Sequence, residues 1–111
     1  MTPEGKLKKD IKEYLDKAGF WRAGAAQPAR VVGWYYMPVS NGMGVVGIPD
    51  FVGIYRGTPF LIETKVGKKE PTANQLARHT EIKAAGGYCF VCRSVSDVEA
   101  AILHVNEAID G

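Results

Sequence analysis

The sequence predicts an α/β protein of the α+β kind, a central mixed sheet flanked by helices in the order α-β-β-β-α-β-α. Three observations carry that prediction. Leu7, Ile11, Tyr14, Leu15 and Ala18 form an apolar stripe at helical spacing over residues 3–18. Phe51-Val52-Gly53-Ile54-Tyr55 and Pro59-Phe60-Leu61-Ile62-Glu63 are short apolar runs divided by Arg56-Gly57-Thr58, the pattern of a hairpin. Residues 71–85 then read as a helix closed by Gly86-Gly87, and residues 88–93 as a buried strand.

Each element has its own local signals. Thr2 is placed to cap the first helix, Pro3 suits its first position, and Gly19 stops it. Phe20-Trp21-Arg22 leads into a loop of Ala, Gly, Gln and Pro. Residues 30–37, with Val31, Val32, Trp34, Tyr35 and Tyr36, form the first predicted strand. Ser40-Asn41-Gly42-Met43-Gly44 reads as a loop that runs through Val45-Val46 into Gly47-Ile48-Pro49-Asp50. Glycines there permit close approach to a phosphate backbone, although a plain connection has the same composition. In the second helix, Ala73, Leu76, Ala77, Thr80 and Ala84 offer a small-residue face for packing on the sheet, and Thr72 with Gln75 matches a capping box. Ser94 or Ser96 caps a last helix whose apolar residues are Val98, Ala101, Ile102 and Val105.

The bulk properties bound the answer. A chain of 111 residues is expected to form one domain over 1–111. No run is apolar enough to span a membrane or to act as a signal peptide, so an intracellular, cytoplasmic setting is expected. The formal charge of +2 does not by itself point to nucleic acid. Its distribution is more informative: Lys6, Lys8, Lys9 and Lys12 lie in the first helix, and Lys65, Lys68 and Lys69 follow the second hairpin strand. Of these, Lys68 and Lys69 are singled out as phosphate contacts. Cys89 and Cys92 are three apart on a strand and so face opposite ways. They read as core thiols rather than a redox or zinc pair.

The chemistry concentrates in Gly47-Ile48-Pro49-Asp50 and Glu63-Thr64-Lys65. If Tyr55 pairs with Thr58 across an Arg56-Gly57 loop, Asp50 falls opposite Glu63 and both carboxylates share a face. A four-residue loop with the same centre gives the same pairing, whereas a register centred on Gly57 separates the acids. Lys65, two residues past Glu63, points the same way. The side chain of Thr64 points to the other face, while its carbonyl stays close to the acids. Two carboxylates and a carbonyl are hard donors suited to Mg²⁺ or Mn²⁺, a cation that acidifies water and neutralises phosphate charge. Glu4 lies in line with Leu7 and Ile11 and is expected to face the body of the protein. Gln75 either closes the capping box or also hydrogen-bonds water at the site.

Glu4, Gly47-x-Pro49-Asp50, Glu63-x-Lys65 and Gln75, in that order, resemble the PD-(D/E)xK nuclease superfamily. Within it the chain is most similar to the VRR-NUC family, in its short stand-alone phage-type form. The resemblance runs from Glu4 to about Ile102 and implies a restriction-endonuclease-like core. It implies a Mg²⁺- or Mn²⁺-dependent endonuclease that hydrolyses DNA phosphodiester bonds and prefers structured substrates such as Holliday junctions, flaps or branches. Asp50 and Glu63 would hold metal with the Thr64 carbonyl, Lys65 would be the catalytic lysine, and Glu4 and Gln75 would complete the site. Ser40, Asn41, Lys68 and Lys69 would face DNA. A homodimer, and a host-cell cytoplasmic setting for a phage protein, follow from the same resemblance. The late Val-Arg-Arg element of the family is reduced here to Val91-Cys92-Arg93-Ser94. An exonuclease or nickase, or a catalytically silent DNA-binding scaffold on this fold, is the competing expectation.

Overall fold

A computed structural model describes residues 1–39 and 44–111; Ser40 and Asn41, expected to meet DNA, lie outside the described residues. Helix α1 spans Pro3–Ala18, capped by the Thr2 hydroxyl and ended by Gly19 with φ +101°. Strand β1 (Phe20–Arg22) follows, then β2 (Gly33–Tyr36), β3 (Phe51–Tyr55) and β4 (Thr58–Thr64). Helix α2 (Ala73–Ala84), strand β5 (Tyr88–Cys92) and helix α3 (Val95–Asp110) complete the chain, with Ser94 capping α3. No helix among the described residues is long and apolar enough to cross a membrane.

The strands form one mixed sheet in the order β1-β2-β3-β4-β5. Pairing is parallel for β1–β2 and β4–β5, and antiparallel for β2–β3 and β3–β4. The observed order is therefore α-β-β-β-β-α-β-α, one strand more than expected. The addition is Phe20-Trp21-Arg22, read as the entry to a loop. Three residues are too few to display a period, and β1 exists because it pairs with Gly33–Tyr36 beside it.

One face of the sheet carries Phe20, Tyr35, Phe51, Tyr55, Phe60, Ile62 and Cys92, packed against Leu7, Ile11 and Leu15 of α1 and Val98, Ala101 and Val105 of α3. Tyr14 and Ala18 pack at the margin of this cluster, so the α1 stripe is borne out. The opposite face is covered only in part. There α2 packs on β5 and shelters the Leu61, Glu63 and Cys89 side, while Trp34, Tyr36 and Ile54 remain exposed.

The face of α2 corrects the sequence reading. Ala73, Leu76, Ala77, Thr80 and Ala84 all point to solvent, Leu76 at 52% exposure. The inward stripe is Gln75, Arg78, His79 and Ile82. Small residues suit close packing on an apolar sheet, but this part of the sheet presents Glu63, and a polar surface draws polar side chains.

The β3–β4 turn fixes the register on which the site depends. Arg56 (φ 50°) and Gly57 (φ 77°) both have positive φ, as a two-residue type I′ turn requires. Arginine is unusual in that region. Its guanidinium is anchored to Asp110 at 2.8 Å and Asn106 at 2.9 Å on α3, which holds the turn in place. Tyr55 pairs with Thr58 and Phe51 with Ile62. One residue further along, Asp50 stands opposite Glu63.

Candidate active site

The site lies where β3 begins and β4 ends. Asp50 accepts hydrogen bonds from the Thr64 amide at 2.9 Å and the Thr64 hydroxyl at 2.6 Å. The latter corrects the expectation that the Thr64 side chain turns away. Asp50 precedes the first residue of β3, so its side chain can lean past the strand end and reach both Thr64 donors. The Glu63 carboxyl is hydrogen-bonded to Asp50 and is only 1% exposed.

The two acids are pushed in opposite directions. Burial, then the hydrogen bond to Asp50 and its negative charge, push the Glu63 carboxyl up to about 8, against weaker pulls from Lys65 and Lys8. Burial also acts to raise Asp50. The Thr64 hydroxyl, Glu63, the Thr64 amide and Lys8 outweigh it, so Asp50 lies below the usual carboxylate range. A proton taken up by the pair is therefore held by Glu63 rather than Asp50.

Two segments bring Asp50 here. Gly47 (φ +91°) lies directly on the start of α2, where a Cβ would come within 2.5 Å of the Asn74 carbonyl carbon and oxygen. Beside it, Arg78 donates to the Val46 carbonyl at 3.1 Å. Glycine is required at position 47 both for its backbone angle and for that approach. Gly47→Ala is expected to cost about 2 kcal/mol and to weaken any activity of the site. A melting curve that matches the native protein would contradict this account of the motif.

The remaining predicted residues divide. Lys65 is half-buried just past β4, and its charge acts on both Glu63 and His79. Glu4 is not turned inward as expected: its side chain is 51% exposed. It belongs to the first turn of α1, one turn before Leu7 enters the core, and meets the site through Lys8. Gln75 closes the capping box, its side-chain oxygen accepting from the Thr72 amide at 2.9 Å. That oxygen is committed to the helix start, whereas the side-chain nitrogen is not part of the cap. Lys68 and Lys69 are exposed on the turn after β4. Arg93 holds that turn, donating to the Gly67 carbonyl at 2.9 Å and the Lys69 carbonyl at 2.7 Å. Cys89 and Cys92 are free, buried thiols, each pushed up to about 12 chiefly by burial.

Two residues at the site were not singled out from the sequence. Lys8 reaches Asp50 Oδ1 at 3.4 Å and Glu4 Oε1 at 3.6 Å. Its position four residues after Glu4 could have revealed it. His79 Nε2 stands 3.8 Å from Glu63 Oε1, and it too follows a predicted residue, Gln75, by four.

Among the described residues, no group of three or more His, Cys, Asp or Glu side chains is arranged to hold a metal. The acidic donors are therefore two, Asp50 and Glu63. Their oxygen donors suit a hard cation. Two adjacent carboxyl groups, with the buried Glu63 Oε1 lacking a hydrogen bond among the described residues, offer the oxygen donors that a hard cation takes.

No family model and no curated protein sequence matches this chain. Among solved structures, five chains match, one of them described as a VRR_NUC domain. It is 26% identical, with a TM-score of 0.68, over 94% of this chain and 98% of its own. The fold is thus that of a nuclease family. The match supports the assignment of this chain to the VRR-NUC family.

Proposed function

We propose that this chain is a Mg²⁺- or Mn²⁺-dependent deoxyribonuclease, cutting phosphodiester bonds within structured or branched DNA. The observation that carries the reading is the contact between the buried Glu63 carboxyl and Asp50, in the register set by the Arg56-Gly57 turn. Asp50, Glu63 and the Thr64 carbonyl would hold the cation. When bound, it would neutralise charge on the phosphate and lower the pKa of water.

The other residues have roles in keeping with their positions. The Thr64 amide and hydroxyl fix the orientation of Asp50. Lys65, beside Glu63, offers an ammonium to steady charge that builds on the phosphate oxygens. Lys8, between Glu4 and Asp50, balances the acids from the α1 side, so Glu4 acts through it. The Gln75 side-chain nitrogen is available for water at the opening of α2. Lys68 and Lys69 would meet the DNA backbone, on a turn that Arg93 holds in shape. The functional unit would be one domain over 1–111, working as a homodimer where paired cuts are made.

A cleavage panel tests this reading: linear duplex, flap, splayed-arm and four-way-junction DNA, each with Mg²⁺ and with Mn²⁺. Internal cuts favouring a branched substrate are expected, and Lys65→Ala should slow them about 10²-fold or more. Products released only from ends would make the enzyme an exonuclease, and single-strand nicks a nickase. A folded protein that cuts none of these DNAs with either ion overturns the proposal in favour of a silent scaffold.

A further inference from the structure

Two buried polar atoms face each other here without a hydrogen bond. Glu63 Oε1 and His79 Nε2 are both enclosed and lack a partner among the described residues. They stand 3.8 Å apart, beyond hydrogen-bond range. An unpaired buried polar group costs about 1–3 kcal/mol. Two of them kept side by side indicate a second state of the site in which they satisfy each other.

The chemistry of Glu63 supplies that state. In the present structure its carboxyl is hydrogen-bonded to Asp50, which leaves Oε1 unused. A carboxylate that holds a cation can only accept hydrogen bonds, so the buried Oε1 needs a donor. The imidazole of His79, its Nε2 3.8 Å away and itself unpartnered, is a neighbouring group able to donate to it. His79 is 5% exposed on the inward stripe of α2. Its imidazole carries an N–H in either protonation state.

We propose that His79 is a positioning residue for Glu63, its Nε2–H donating to Oε1 when the carboxylate is engaged by a divalent cation. The inference rests on the metal-site reading above. A closing movement of less than 1 Å suffices to make the bond, because hydrogen bonds of this type run to about 3.2 Å. Fixing one oxygen of a ligating carboxylate aims the other, and loss of such a partner typically weakens metal affinity about 10–100-fold.

The test measures Mn²⁺ binding by calorimetry without DNA, for the native protein and for Glu63→Gln, His79→Leu and His79→Gln. His79→Leu should weaken binding about 10–100-fold. His79→Gln, whose amide nitrogen can take the place of Nε2, should return to within about threefold of the native value. Nitrogen-15 spectra give a second readout, since the chain has only two histidines. His79 should appear as the Nε2–H tautomer, and that proton should shift when Mg²⁺ is added. A folded His79→Leu protein with native affinity overturns the proposal. If His79→Leu does not fold, an Nδ1–H tautomer or a weak-binding His79→Gln overturns it instead. Glu63→Gln separates the two layers. Unchanged affinity there refutes the metal site itself, whereas weakened affinity beside a native-like His79→Leu refutes only the role of His79.

Discussion

Asp50→Ala should abolish Mn²⁺-dependent cleavage of DNA, a loss on the order of 10³-fold or greater. The change removes one of two acidic donors and also dismantles their support. It leaves the Thr64 amide and hydroxyl without their acceptor, Glu63 without its hydrogen-bond partner, and Lys8 facing only Glu4. Each buried donor left unpaired costs about 1–3 kcal/mol, so this variant should also melt at a lower temperature. Asp50→Asn separates the two effects. Its amide oxygen still accepts from Thr64, so stability should stay closer to native while activity is lost. Cleavage assays run beside thermal melts decide the matter. Native-level cutting by a folded Asp50→Asn protein would remove Asp50 from the site.

Glu63→Gln should change the pH dependence of stability more than any other single substitution. The native carboxyl titrates near 8, against an ordinary value of 4.5 in the unfolded chain. Between those values the folded protein holds a proton that the unfolded chain has released. The contribution of Glu63 is therefore greatest at low pH and falls as pH rises toward 8. Over pH 6.5–8 the loss is about 1–2 kcal/mol, or roughly 5–10 °C in melting temperature. Glutamine keeps a donor for Asp50 but does not ionise, so that slope should disappear in the variant. His79, with its lowered value, acts in the opposite sense below about pH 6.5, and does so in both proteins. Melting curves in a metal chelator supply the comparison; parallel slopes for the two proteins would contradict the proton held by Glu63. Added Mn²⁺ should restore the native protein at pH 8 and leave Glu63→Gln unmoved.

The parts of this structure set by local rules were legible in the sequence. Thr2, Pro3 and Gly19 bound α1, and the Thr72–Gln75 box opens α2, because caps act within a turn. The Arg56-Gly57 turn permitted the register that sets Asp50 opposite Glu63, and that is the register observed. What was missed depends on partners distant in the chain. Strand β1 is three residues long and is defined by its parallel neighbour, so no periodicity announces it. The small residues of α2 suit an apolar sheet, but Glu63 makes that region polar and draws in His79. Lys8 resembled the other lysines of α1 until the helix was placed against the end of β3. Helical phase alone points Glu4 inward and does not reveal that the first turn of α1 leaves it half in solvent.

The proposed convergence of Asp50 and Glu63 on one cation is open to a direct test. Anomalous diffraction from a crystal soaked in Mn²⁺ tests it most directly. A single strong peak within about 2.0–2.3 Å of an oxygen from each carboxylate is the predicted result. Manganese bound only at surface acids such as Glu70 or Asp110, with the Asp50–Glu63 hydrogen bond still in place, would contradict it.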